Sequence, residues 1–111
     1  MQPTLFDSPA AAVSLEDALL FALGEFQARG HVLAERELAL DRLHHAIDRA
    51  CGRLRIEPPS DEAAAALLTK AGAAVIRIPD YFAKRPYRVI VPSELASRSL
   101  TVYHQINVKL T

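Results

Sequence analysis

The sequence predicts an α+β fold: three helices followed by a three-stranded antiparallel sheet. Two observations carry this. Apolar residues recur at helical spacing as far as Gly72 and then at a period of two from Ala74 onward. Breakers fall where the pattern changes: Gly30, Gly52, Pro58-Pro59, Gly72, Pro79 and Pro92. With 111 residues the chain has the length of one domain. A chain of this size buries about two-thirds of its unfolded surface and needs no staples.

The first helix is expected at about 14–29. Ser14 is its cap, Asp17 stands three residues on, and Leu15, Leu19, Ala22, Leu23 and Phe26 form its apolar stripe. Gly30 stops it. The second helix is expected at about 34–51, with Leu40, Leu43, Ile47, Ala50 and Leu54 as its stripe and Gly52 near its end. The third is expected at about 60–71. Ser60 caps it, and Asp61 and Glu62 sit in the first turn, where the helix dipole favours acids. Its alanine run, Ala63 to Ala66, suits close packing against another helix.

Strands are expected at about 74–78, stopped by Pro79, and 87–91, stopped by Pro92. The short connection between them implies an antiparallel pair. A turn or helical stub is expected at Ser93 to Ala96. The last strand is expected at about 99–110, where Leu100, Val102, His104, Ile106, Val108 and Leu110 alternate with Thr101, Tyr103, Gln105, Asn107 and Lys109. Such a strand exceeds its partners in length. Its surplus edge would need a cover, and a second copy of the chain could dimerise there.

Before the domain lies an expected flexible tail, residues 1–13. Asp7-Ser8-Pro9-Ala10-Ala11-Ala12 has the composition of a tether. Gln2-x-x-Leu5-Phe6 resembles the linear motif by which bacterial replication and repair proteins dock on the sliding clamp. That resemblance covers five residues. It implies that Leu5 and Phe6 fill a pocket on the clamp while the Gln2 amide bonds to its rim. The alternative is that Leu5 and Phe6 tuck back onto the chain's own core.

Composition narrows the function classes. Cys51 is the only cysteine, so no internal disulfide forms and a reducing compartment is expected. No apolar run approaches the ~20 residues of a membrane span, and the N-terminus lacks a signal-peptide pattern. The cytoplasm is therefore the expected location. Net charge is zero, yet residues 1–69 hold 11 acids and 6 bases while residues 70–111 hold 2 acids and 7 bases. The basic part either meets phosphate or pairs with the acidic part.

Its densest stretch is the hairpin loop and its flanks. Arg77, Lys84, Arg85 and Arg88 could neutralise phosphates, and Tyr81 and Phe82 could stack on bases or wedge into a groove. The bland alternative has Phe82 and Tyr87 anchoring the loop to the core. Three helices and a hairpin, with Leu67-Leu68-Thr69-Lys70-Ala71-Gly72 leading in and Lys84-Arg85-Pro86-Tyr87-Arg88-Val89 returning, resemble a winged-helix DNA-binding domain over residues 14–92. In that family the third helix reads bases. Here it is acidic and alanine-rich, so the resemblance implies that the hairpin meets DNA instead.

Catalysis is not expected. His44, Asp48 and Cys51 share one face of the second helix, but a single helix gives an incomplete ligand set, and Cys51 suits burial better. His45 is expected exposed near carboxylates, and His104 buried in the last strand. Ser93, Ser97 and Ser99 read as caps and turn residues. The four glycines are isolated, so there is no phosphate-binding loop. Neither cofactor nor metal is expected. The expected function is an accessory protein of DNA replication, repair or mobile-element biology, docked on the sliding clamp by its tail and touching DNA with its hairpin. A tail that only occupies the clamp groove, as an inhibitor would, is a variant of it. The alternative is a winged-helix-like transcriptional regulator or interaction domain that dimerises through its last strand.

Overall fold

The computed structural model describes residues 14–77 and 87–110. Their elements run α1 (Leu15–Ala28), β1 (Glu37–Ala39), α2 (Leu40–Leu54), α3 (Asp61–Ala71), β2 (Ala74–Arg77), β3 (Tyr87–Ile90) and α4 (Ser93–Leu110). The sheet is three-stranded and antiparallel in the order β1-β3-β2.

α1 is the centre of the molecule. Every residue from Ala18 to Phe26 is buried, Gly24 and Glu25 included. A helix buried around its circumference has to be enclosed by other elements, and α2, α3 and α4 all pack on it. Its start follows the sequence: the Ser14 hydroxyl accepts from the Asp17 N–H at 3.1 Å. α2 adds Leu43, Ala46, Ile47, Ala50 and Leu54 to the core. α3 adds Ala64, Ala65 and Leu68, and Ser60 caps it through the Ala63 N–H at 3.1 Å.

β3 is the middle strand, and alternation sorts its side chains. Val89 and Val91 are fully buried, with Leu38 and Val75 paired against Val89 on the same side. The opposite side carries Glu37, Ala39, Ala74, Ile76, Arg88 and Ile90. Ile76 is 46% exposed there.

Two expectations fail, and with them the predicted order of three helices and then a sheet. First, residues 34–39 do not open the second helix. Glu37–Ala39 is a strand, Ala34 makes a bridge to Val91, and the helix starts at Leu40. Glu, Leu and Ala favour helix, but Leu38 gains a buried place opposite Val89, and tertiary packing outweighs a propensity of a few tenths of a kcal/mol per residue. At its other end the helix runs two residues past Gly52, to Leu54.

Second, residues 99–110 are the greater part of helix α4, not a strand. Leu95, Ala96 and Ser99 are buried, and Val102, Tyr103 and Ile106 pack against the core. Those positions follow a helical stripe, and Ser93 to Ala96 is its first turn. Val102 and Ile106 belong to both patterns, since a spacing of four satisfies a helix face and a strand face alike. The surplus strand edge disappears with the strand, and so does the reason for a second copy pairing there. His104 is exposed on α4, not buried.

Glu35 ties the new strand to the new helix. It holds a left-handed backbone conformation at φ 58°. Its N–H donates to the Val91 carbonyl at 2.7 Å, and its carboxylate accepts from the Ser93 N–H at 2.8 Å. A carboxylate at a helix N-terminus satisfies a free donor and complements the dipole.

Candidate nucleic-acid interface

The two motifs singled out in the sequence meet the structure unequally. Gln2, Leu5 and Phe6 lie outside the described residues, as do Tyr81, Phe82, Lys84 and Arg85. Arg77 and Arg88 are described. They stand on strands paired in the register Ile76↔Arg88 and Arg77↔Tyr87, so residues 78–86 link two hydrogen-bonded neighbours.

That register puts the two arginines on opposite faces of the hairpin. Arg77 shares its face with Tyr87, and its guanidinium lies 5.9 Å from the centre of the Tyr87 ring. Arg88 shares the outward face with Ile76 and Ile90. Its Nε stands 4.0 Å from a Glu37 carboxylate oxygen on β1. A pair so long and so exposed neutralises little of the Arg88 charge in water. The arginines thus flank the hairpin instead of forming one patch.

A cluster that the sequence reading missed lies where α1 meets α2. The Glu25 side chain is only 8% exposed, and three arginines surround it. Arg29 Nη2 is 4.0 Å from Oε2, Arg49 Nε is 3.5 Å from Oε1 and Arg53 Nη1 is 3.7 Å from Oε2. Oε1 is buried and accepts no hydrogen bond. Its compensation is the charge of the guanidiniums, which a low-dielectric site makes effective. Arg53 is held twice more. Its Nη2 donates to Asn107 Oδ1 at 3.2 Å, and its guanidinium lies 5.4 Å from the centre of the Phe21 ring. The sequence did hold a signal: Arg42, Arg49 and Arg53 are spaced for one face of a helix. Counting charge by halves of the chain hid it, because the acidic half contains this basic face.

The histidine–cysteine spacing on α2 leads elsewhere. His44 Nε2 is 3.0 Å from Asp48 Oδ2, and His44 Nδ1 is 3.9 Å from Asp61 Oδ1 at the start of α3. Cys51 is turned into the core, where burial, with Asp48 nearby, pushes its thiol above the usual range. Among the described residues no group of three His, Cys, Asp or Glu side chains is placed to hold a metal ion. His45 is exposed, with its ring edge-on to His44 at 5.8 Å. Ser99 is not a turn residue. It is fully buried, its hydroxyl donates to the Ala96 carbonyl at 2.7 Å, and it accepts from Gln27 Nε2 at 2.9 Å.

Among the described residues no helix is long and apolar enough to cross a membrane. The chain matches no protein-family model, and no curated protein or solved structure is significantly similar to it.

Proposed function

We propose that this protein is a DNA-contacting accessory factor, held at the sliding clamp by its N-terminal tail, whose β2–β3 hairpin meets the phosphate backbone. One observation supports the DNA contact most. The antiparallel register joins the basic, aromatic segment 78–86 to a three-stranded sheet, with exposed Arg77 and half-exposed Arg88 at the segment's two ends. Arg77 and Arg88 themselves stand on paired strands, which lowers the ordering cost of a phosphate contact made by either. Gln2, Leu5 and Phe6 supply the clamp contact in this reading. A tether of this kind raises the local concentration of a weak DNA contact without demanding affinity from it.

The test is a pair of titrations on the full chain. Labelled duplex DNA should bind at low salt and release steeply as salt rises, and Lys84→Glu/Arg85→Glu should abolish most of that binding. A purified bacterial clamp should bind the wild type and lose a Leu5→Ala/Phe6→Ala variant. DNA binding indifferent to salt, or to the charge reversal, refutes the hairpin's role. Clamp binding unaffected by the double alanine variant, or absent, refutes the tail's.

A further inference from the structure

α2 presents a cationic surface that the hairpin reading does not use. Arg42, His45, Arg49 and Arg53 are all exposed. Offsets of three, seven and eleven residues return to within about 60° of one direction on a helix, so the four share a face. From Arg42 to Arg53 the row extends about 16 Å along the axis, at 1.5 Å per residue. Arg29 of α1 joins it beside Glu25.

Its charge is compensated in part: Asp41 and Asp48 border the face on α2, and Glu25 lies beneath it. Glu25 supplies one negative charge to the three guanidiniums around it. Arg42 takes no partner among the described residues, and the Arg49 Nε stands 3.5 Å from Glu25 Oε1. The row is also partly organised in advance. Glu25 draws Arg49 and Arg53 to 3.5 and 3.7 Å without locking them, and Asn107 and Phe21 hold Arg53 further. Guanidiniums held this way lose less rotamer freedom when they bind, and their planar forks suit phosphate oxygens. Among the described residues the large exposed apolar side chains, Val32, Ile76 and Val108, all lie off this helix, so the face offers an apolar partner little.

We propose that this face of α2, with Arg29 at its margin, is a second phosphate-binding surface that takes the backbone of duplex DNA. The inference deepens the DNA-binding reading above and rests on it. Charge complementarity selects the occupant. One DNA strand presents a phosphate about every 3.4 Å of helix axis, so a row of about 16 Å faces several phosphates at once. Backbone contacts of this sort fix register without reading sequence, which agrees with an α3 too poor in polar side chains to read bases.

The deciding experiment measures duplex binding by fluorescence anisotropy across a salt series, for the full chain and three variants. Arg42→Gln/Arg49→Gln should weaken binding about tenfold at low salt and flatten the log–log salt slope by about two, one for each lost phosphate contact. Arg42→Lys/Arg49→Lys keeps both charges and should keep the slope. Lys84→Glu/Arg85→Glu should lose most of the binding, as the hairpin reading requires, and whatever remains at low salt should still fall when Arg42→Gln/Arg49→Gln is added. Circular dichroism checks that each variant is folded, and because Arg42 has no described partner, Arg42→Gln alone repeats the test with a slope change of about one. If the glutamine variants bind with unchanged slope while the hairpin variant fails, this surface is refuted and the hairpin reading stands. If the wild type binds no duplex at low salt, the DNA reading and this surface fall together.

Discussion

α1 packs differently on its two sides. Toward α4 the contact is backbone-close. A Cβ added at Gly24 would clash with Tyr103 Cβ and lie 2.5 Å from the Ser99 carbonyl oxygen. Phe21 and Tyr103 set their ring centres 5.1 Å apart, and Gln27 Nε2 donates across the crossing to the Ala96 carbonyl at 3.0 Å and to Ser99. Toward α2 the apolar seam ends in a margin of charges, with half-exposed guanidiniums 3.5–4.0 Å from Glu25. Gly24 and Glu25 are chain neighbours, about 100° apart around the helix. One turn of α1 therefore serves a crossing with no spare room and a margin whose long side chains can be redirected. The first kind of contact governs stability, and the second leaves charge available at the surface.

The sharpest way to break this contrast is Gly24→Ala. On an open helix that change adds about 1 kcal/mol through propensity. Here the new methyl meets backbone, which cannot rotate away, so α1 and α4 must separate. Overpacking of this kind costs about 1–3 kcal/mol, and against backbone the upper end applies, so after the propensity gain we expect a net loss of about 2 kcal/mol in the urea-unfolding free energy. A gain in stability would mean that the crossing is looser than described and that the contrast is false.

Glu25→Gln probes the other side. It removes the countercharge of Arg49 and Arg53 and leaves a buried amide facing guanidiniums. Breaking a fully buried pair costs about 3–5 kcal/mol, but these arginines are some 40–50% exposed and water screens them. The expected loss is about 1–2 kcal/mol, read from the urea midpoint at constant slope. A gain would show that burying the carboxylate costs more than its pairing returns.

The same split explains what the sequence disclosed. Caps and breakers are local, so Ser14, Ser60 and Gly72 marked their helix ends, and Val75 and Val89 marked a strand pair. Glu37-Leu38-Ala39 carries helix-forming residues, and only its place beside β3 makes it a strand. The terminal segment alternates well enough to satisfy a strand, and its helical stripe emerges only when Leu95 and Ala96 are counted with it. Glu25 was illegible for another reason. It sits inside an apolar stripe, and nothing along the chain announces that arginines 24 and 28 residues later fold back to meet it. The residues proposed to act on the tail and the hairpin are conspicuous by composition, whereas the arginine face depends on helix geometry that a running count of charge discards.

Arg29 sharpens the comparison with the smallest effect. It reaches Glu25 from one turn further along α1, at 4.0 Å, and its side chain is 53% exposed. With its cationic end in water and the two groups at the limit of ion-pair distance, the pair contributes little, about 0.3–0.5 kcal/mol. Arg29→Gln should therefore leave the unfolding midpoint almost unchanged, a loss below about 0.5 kcal/mol, and should flatten the salt dependence of duplex binding by up to one unit. A loss of stability well above that, with no change in the salt slope, would make Arg29 a strut of the α1–α2 packing and remove it from the proposed phosphate-binding face. The expected result assigns it the opposite role: a charge kept near Glu25 for what it does at the surface, on the same helix whose other side leaves no room for a methyl group.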